Sequence, residues 1–204
     1  MNTGALLAFE GLDGSGKSTQ VRRLVAALEA SGVEVLETRE PTSGPVGRRI
    51  REMARSGNAV APELELEWFF EDRREHVQQV IAPALAAGQT VVTDRYYLST
   101  VAYQGARGLD AEEILRRSEA EFPVPDLALL LDLEPRLGIA RVEARGGEVE
   151  SVFERLDFLE IVHEEYRRLD RPYLVRVAAA ADPEDVQARI AQVVGEQLNL
   201  SLRL

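Results

Sequence analysis

The sequence predicts an α/β domain of three layers, in which helices cover both faces of a five-stranded parallel sheet. Short apolar segments of strand length alternate along the chain with longer segments of helical pattern, which is typical of such a sheet. The length of 204 residues and the 45% hydrophobic content suit one packed core, so we expect a single domain over 1–204. Ligands of these sheets bind at the carboxyl ends of the strands, where we therefore expect the functional residues.

The predicted strands and helices follow one another in a regular order. The strands are rich in aliphatic and β-branched residues and cover 5–10, 33–38, 90–94, 126–133 and 173–178. The first helices cover 17–30, 46–55 and 63–87, with stop signals at Gly32, Gly57 and Gly88, and further helices follow after residue 96.

Composition limits the classes of partner. The net charge of -11 argues against a nucleic acid or an anionic membrane, because either partner favours a basic surface. The chain has no cysteine, which excludes disulfides and thiolate metal sites. The first residues lack a signal-peptide pattern and no apolar segment has membrane-spanning length, so we expect a cytoplasmic protein.

A phosphate-binding motif follows the first predicted strand. Residues 11–18 (GLDGSGKS) fit G-x-x-x-x-G-K-[ST] and directly precede a predicted helix, which is the context that this motif requires. Its glycines let backbone N–H groups converge on phosphate oxygens. We expect Lys17 to bridge the β- and γ-phosphates of ATP and Ser18 to hold Mg²⁺. The predicted nucleotide-binding residues are Gly11, Leu12, Asp13, Gly14, Ser15, Gly16, Lys17, Ser18 and Thr19.

The use of lysine supports this motif and narrows the class. Of the 24 basic residues, Lys17 is the only lysine. A compact ammonium on a flexible stem fits between phosphates, whereas the planar fork of arginine does not. A second lysine would be needed for the N-K-x-D segment of a GTPase, and 204 residues are few for a large ATPase motor. A small kinase remains.

Several segments together carry a family resemblance. In order and spacing, the successive signatures of thymidylate kinases are similar to FEGLDGSGKST at 9–19, TREP at 38–41, DRREH at 72–76, DRYYLSTVAYQG at 94–105, PDL at 125–127 and DPEDV at 182–186. The resemblance covers nearly the whole chain. It implies the P-loop NTPase fold, transfer of a phosphoryl group from ATP to dTMP with Mg²⁺ in dTTP biosynthesis, and a homodimer.

An aromatic ring and a guanidinium share one face of the third predicted helix. Phe69 and Arg73 are four residues apart, which suits stacking on a base and hydrogen bonding to its edge. From the residues alone, a core aromatic and a solvated arginine are the simpler interpretation, and at least one ring of Trp68-Phe69-Phe70 is expected in the core. The resemblance selects Phe69 and Arg73 for the base.

Asp94 and Arg95 end the third predicted strand. There an acid can support Mg²⁺ directly or through water, and an arginine can hold an acceptor phosphate. The helix after this strand could line a pocket, or it could be an ordinary amphipathic helix whose polar face is exposed to solvent. We favour the pocket because the polar strip begins at the strand's carboxyl end. The strip consists of Arg95, Ser99, Thr100, Tyr103 and Gln104. The resemblance implies that Thr100 meets the pyrimidine edge and that Tyr103 lies under the sugar.

Two acids and an arginine complete the expected acceptor site. Asp13 is costly beside phosphates unless it binds something, and in the resembling family this acid contacts the acceptor. Arg39 is expected to help hold the acceptor phosphate. Glu40 has two interpretations, a structural acid near Arg39 or a general base for a nucleoside hydroxyl, and the first suits a phosphate acceptor better.

Phosphoryl transfer develops negative charge, so these kinases close an arginine-bearing lid over the nucleotide. We place the lid at about 141–155, with Gly146 and Gly147 as a flexible break. Some thymidylate kinases carry one such arginine where this chain has Gly14. The resembling pattern also commonly has an Asp-Arg pair where this chain has Ser151 and Val152. A surface helix pair is the alternative for this segment. The predicted catalytic residues are Lys17, Asp94, Arg95, Arg141, Arg145 and Arg155.

Three other functions fit parts of the sequence. A deoxynucleoside kinase would use Glu40 as a base and accept thymidine. Another nucleoside monophosphate kinase would keep the loop and accept a different base. A nucleotide sensor would bind ATP without transfer, and only the departure at Ser151 and Val152 favours it.

Overall fold

The computed structural model describes residues 4–56, 59–144, 152–199 and 202, and for 152–155 the backbone alone. Within these residues, five parallel strands form one sheet in the order β2-β3-β1-β4-β5. They are β1 (Leu6–Glu10), β2 (Val35–Arg39), β3 (Thr90–Asp94), β4 (Leu127–Asp132) and β5 (Leu174–Ala178). The predicted sheet is confirmed, and the strand ends differ from prediction by one or two residues.

Helices cover both faces of the sheet. They are α1 (Lys17–Ala30), α2 (Pro45–Ser56), α3 (Pro62–His76), α4 (Ala82–Ala86), α5 (Tyr97–Ala106), α6 (Ala111–Glu121), α7 (Pro135–Glu143), α8 (Val152–Arg168) and α9 (Pro183–Leu198). The helix predicted over 63–87 is formed by α3 and α4, joined by a π-helical turn at Val77–Ile81. Pro83 explains the turn, because it has no N–H to continue the α-helical ladder.

Alternate residues of β1 enter two hydrophobic cores, one on each face of the sheet. Leu6 and Ala8 belong to a core shared with α3 to α6 and α8, whereas Leu7 and Phe9 belong to a core shared with α1 and α9. A strand buried on both faces is typical of a parallel sheet between two helical layers. The predicted three-layer arrangement is therefore confirmed.

Backbone pairing brings the carboxyl ends of three strands together at one edge of the sheet. Arg39 of β2 lies opposite Asp94 of β3, and Phe9 of β1 lies opposite the same residue. The pairing continues past the strands, because Glu40 N donates to Asp94 O and Arg95 N donates to Phe9 O. The start of β1 is held too, since Leu6 N donates to Asp126 Oδ2 over 2.7 Å.

Two findings concern only part of the chain. Within the described residues, no helix is long and apolar enough to cross a membrane. Some predicted features lie outside the described residues, namely Gly57, Arg145, Gly146, Gly147 and Ser151.

Candidate active site

The loop between β1 and α1 is tight because other backbone segments pack against its glycines. Gly11 has φ +133°, and a Cβ there would lie 2.7 Å from Leu131 O. Gly14 has φ +82°, and its Cβ would lie 2.2 Å from Gly138 O of α7. No side chain fits at either position. The absence of an arginine at Gly14 thus follows from the close approach of α7.

Lys17 is folded back along this loop. Its Nζ donates to Gly11 O over 3.0 Å and to Leu12 O over 2.8 Å, and it lies 3.9 Å from Asp13 Oδ1. Burial and the charge of Arg95 lower the pKa of Lys17 to about 8, against the opposing effect of Asp13. The ammonium is thus held inside the loop and is still mostly charged at pH 7.

Ser18 and Asp94 form a pair of oxygen donors beside the loop. Ser18 Oγ donates to Asp94 Oδ2 over 2.5 Å. No group of three or more His, Cys, Asp or Glu side chains that could hold a metal occurs among the described residues. Mg²⁺ is usually bound by one or two protein oxygens together with phosphates and water, so this pair fits that ion.

Arg95 joins β3 to the loop. Its backbone has φ 72°, an unusual value for a residue with a side chain. Nη1 donates to Ser99 Oγ over 2.9 Å and Nη2 donates to Asp13 Oδ1 over 2.7 Å. The guanidinium also lies 5.2 Å from the centre of the Tyr103 ring. The structure thus brings Asp13, Ser99 and Tyr103 together around Arg95.

Glu10 is a buried acid that we did not select from the sequence. Its carboxylate accepts from Tyr96 N over 3.1 Å and from Ser99 Oγ, and Ser99 Oγ also lies 2.9 Å from Tyr166 Oη. Burial raises the pKa of Glu10 to about 7, against the hydrogen bond from Ser99 and the charge of Arg95. The available signal was a lone carboxylate in a strand predicted to be buried on both faces.

Glu40 has different partners from those expected. Its Oε2 accepts from Arg73 Nε over 2.8 Å, and its Oε1 lies 2.9 Å from His76 Nδ1, so its ionic partners are Arg73 and His76 rather than Arg39. Although burial raises the pKa of Glu40, the charge of Arg73 and the hydrogen bond to His76 outweigh it, and the pKa lies below its ordinary value. A carboxylate held in this way is a weak base.

Arg73 and the aromatic residues of α3 divide between pocket and core. Arg73 is 1% exposed, and its Nη2 donates to Thr100 Oγ1 over 2.9 Å. Phe70 is fully buried and packs on Phe122 with ring centres 5.3 Å apart, which confirms that one aromatic of this segment belongs to the core. Phe69 is half-buried and remains the stacking candidate.

Two polar groups near Thr100 are buried and have no hydrogen-bond partner among the described residues. Arg73 Nη1 is one, and the amide of Gln104 supplies two more such atoms, Oε1 and Nε2. Gln104 is 1% exposed and lies one turn after Thr100 on the same face of α5. Unsatisfied buried donors and acceptors are costly, so a polar ligand that paired with these atoms would be stabilised here.

Arg39 faces open space at the other end of the site. It lines a cavity of about 770 Å³ together with Ser18, Arg22 and Asp94. Arg73 and Gln104 do not line this cavity, which therefore adjoins the buried groups without including them. No described ion pair involves Arg39, so its charge is available for an anion.

Arg141 is the lid candidate whose position is described. Its Nη1 donates to Ala179 O over 3.0 Å and lies 3.5 Å from Gly14 O. The guanidinium is thus brought against the loop from α7. Arg145 lies outside the described residues, and for Arg155 only its backbone position in α8 is described.

Comparisons with known proteins agree over most of the chain. The thymidylate kinase family model matches residues 9–190. A thymidylate kinase of Desulfotalea psychrophila is 44% identical over 200 residues, which cover 98% of each chain. A thymidylate kinase of Xanthomonas euvesicatoria is 48% identical over 183 residues, which cover 90% of this chain and 80% of the relative. From the matched family model and these relatives together, we conclude that the chain belongs to the thymidylate kinase family.

Proposed function

We propose that this chain transfers the γ-phosphoryl group of ATP to dTMP and gives ADP and dTDP, a step of dTTP biosynthesis. Family membership and the names of the relatives support this reaction. The observation that carries it here is the set of buried polar atoms without a partner, Arg73 Nη1 and the Gln104 amide.

These atoms suit the edge of thymine. Arg73 Nη1 only donates, so it pairs with a 4-oxo group and not with the 4-amino group of cytosine. The Gln104 amide offers one acceptor and two donor hydrogens, which match the N3–H and carbonyl groups of the same ring. Half-buried Phe69 supplies a surface for stacking.

Charged side chains around the loop support phosphate binding. Arg39 and Arg95 hold the acceptor phosphate, and Lys17 and Arg141 serve the phosphates of ATP. Transfer then depends on holding the two nucleotides in line and on neutralising charge, and no covalent intermediate is required. The segment 141–155 acts as the lid.

Mg²⁺ belongs to the same proposal. Ser18 Oγ and Asp94 Oδ2 would hold it, directly or through water, beside the phosphates. When bound, the ion would supply positive charge that offsets the negative charge of the phosphates. A homodimer is supported only by the resemblance, and light scattering of the purified chain tests it. A cytoplasmic location remains an expectation from the sequence.

A deoxynucleoside kinase is less well supported. That reaction needs a base to remove a proton from a hydroxyl, and Glu40 is the candidate. Both oxygens of Glu40 are already bonded, one to Arg73 and one to His76. Its lowered pKa further weakens it as a base.

The deciding experiment measures ADP release from Mg·ATP with a panel of acceptors. The panel contains dTMP, thymidine, dUMP, UMP, CMP, AMP, GMP and 5-methyl-dCMP, with Lys17→Ala as the blank. We expect strong preference for dTMP. The comparison of dTMP with 5-methyl-dCMP is the sharpest. The two nucleotides differ only in that dTMP has a 4-oxo group and N3–H, whereas 5-methyl-dCMP has a 4-amino group and an unprotonated N3. Preference for thymidine would support the deoxynucleoside kinase, and ATP binding without ADP release would support the sensor.

A further inference from the structure

A chain of hydrogen bonds connects β2 with α5 through the buried Arg73. Thr38 Oγ1 lies 2.7 Å from His76 Nε2, and His76 Nδ1 lies 2.9 Å from Glu40 Oε1. Glu40 Oε2 then accepts from Arg73 Nε, and Arg73 Nη2 donates to Thr100 Oγ1. The three central residues are nearly inaccessible, with exposures of 4% for His76, 7% for Glu40 and 1% for Arg73.

The direction of these hydrogen bonds follows from the carboxylate. The pKa of Glu40 lies below its ordinary value because the charge of Arg73 and the bond to His76 outweigh burial, so the group is ionised and can only accept. His76 Nδ1 must therefore carry a proton and donate to Oε1. The hydroxyl of Thr38 fixes the other ring nitrogen, which holds the ring in one orientation.

The bond from His76 to Oε1 determines which oxygen of Glu40 contacts Arg73. With Oε1 bonded to the imidazole, both Arg73 Nε and Nη2 converge on Oε2, at 2.8 and 2.7 Å. The remaining guanidinium nitrogen, Nη1, is buried and has no hydrogen-bond partner in the part of the chain that the structure describes. If Oε1 were released, the carboxylate could turn and pair one oxygen with Nε and the other with Nη2, which would shift the guanidinium and move Nη1 out of its present position.

We propose that His76 is a positioning residue for base selection, which holds Glu40 so that Arg73 keeps Nη1 as a donor for the 4-oxo group of the acceptor. The inference rests on the proposed function, because it assumes that the base binds beside Arg73. His76 does not touch the base itself. It acts through Glu40 and Arg73, at the last residue of α3 before the π-helical turn.

The test replaces His76 and measures base selection. In His76→Leu the ring is removed and Oε1 loses its donor. We expect the KM for dTMP to rise about tenfold, the size of one hydrogen bond to a charged group, with kcat changed by less than about threefold. The ratio of kcat/KM for dTMP to that for 5-methyl-dCMP should fall about tenfold, and the KM for ATP should stay the same.

Two further variants distinguish positioning from packing. His76→Asn keeps an N–H donor near the place of Nδ1, so selection should be retained within about threefold of the unmodified chain. Thr38→Val leaves Glu40 bonded but frees the far side of the ring, and it serves if His76→Leu does not fold. We expect it to lower selection, and its effect should not add to that of His76→Leu.

The chain offers a matched control in its other histidine. His163 Nε2 lies 2.8 Å from Asp132 Oδ1, so His163→Leu also removes a histidine from a carboxylate. Selection between the two acceptors should be unchanged in this variant.

Unchanged selection in both His76→Leu and Thr38→Val, with only a lower Tm, would overturn the proposal and leave His76 a structural partner of Glu40. Equal loss of selection in His76→Leu and His163→Leu would also overturn it. Failure of the proposed function itself looks different, because the unmodified chain would then give no preference for dTMP.

Discussion

Arg95 Nη2 donates to Asp13 Oδ1 over 2.7 Å, and this ion pair ties the carboxyl end of β3 to the P-loop. The same guanidinium donates through Nη1 to Ser99. A planar fork can satisfy both partners at once, whereas an ammonium on a flexible stem cannot do so in a fixed orientation. Arg95 is therefore held between two elements that both border the nucleotide site.

Arg95→Lys should lower kcat/KM for dTMP about a hundredfold, since two charge-assisted hydrogen bonds and the orientation of the phosphate contact are lost. Initial rates over a range of dTMP concentrations measure this. Arg116→Lys is the matched control, because Arg116 is an exposed arginine paired with Glu113 on the surface of α6. A loss of less than about threefold in Arg95→Lys would contradict the role proposed for this residue.

Gly14→Ala should destabilise the protein and weaken ATP binding. The new Cβ would lie 2.2 Å from Gly138 O, so α7 and Arg141 must move away from the loop. Gly108→Ala is the control, because Gly108 has a similar φ of +93° but nothing within 4 Å of a Cβ. We expect Gly14→Ala to cost about 2 kcal/mol more than Gly108→Ala in urea unfolding. Equal costs would mean that backbone strain alone accounts for the glycine.

Glu10→Gln should change how stability depends on pH. Burial raises the pKa of Glu10 from 4.5 to about 7, so the folded state binds this proton more tightly than the unfolded state. Stability contributed by the protonated group is fully present below pH 4.5 and is lost as the pH rises through 7. Glutamine does not titrate, so the free energy of unfolding of Glu10→Gln relative to the unmodified chain should increase from pH 5 to 8, by up to about 3 kcal/mol.

Urea unfolding at each pH measures the Glu10 effect, with the exposed Glu29→Gln as a control for loss of a carboxylate. The change with pH should be larger in Glu10→Gln than in Glu29→Gln over the same range. A constant difference for Glu10→Gln would show that burial does not perturb this acid.

Lys17→Met should change how stability depends on pH at higher pH and with the opposite sign to Glu10→Gln. Burial lowers the pKa of Lys17 from 10.5 to about 8, so between these values the unfolded state binds more protons and stability rises with pH. The unmodified chain should therefore gain stability relative to Lys17→Met from pH 8 to 10. Unfolding measured without nucleotide checks this, and a difference that is flat with pH would contradict the buried ammonium.

Turnover by Lys17→Met should fall about a thousandfold or more, because the charge on the phosphates is no longer balanced.

Much of the fold could be predicted because its signals are local. The alternation of apolar strands with helical patterns reflects side-chain periodicity, and the sheet follows from it. The P-loop could be predicted because it is one short segment with fixed spacing. The position of Asp94 and Arg95 could be predicted because the apolar segment that forms β3 ends there. The π-helical turn after His76 was not predicted, because the helical pattern over 63–87 indicated one continuous helix.

The sequence by itself determined the three-layer sheet, the phosphate-binding loop and the family, because each depends on neighbouring residues and short spacings. Only the tertiary structure decided the partners of the buried charges. Glu40 pairs with Arg73 and His76, and Glu10 accepts from Ser99, because the strand order brings β1, β2 and β3 together with α3 and α5. Such pairs join residues that are far apart in the chain, and a buried charge pairs with whichever group the packing places within hydrogen-bond distance.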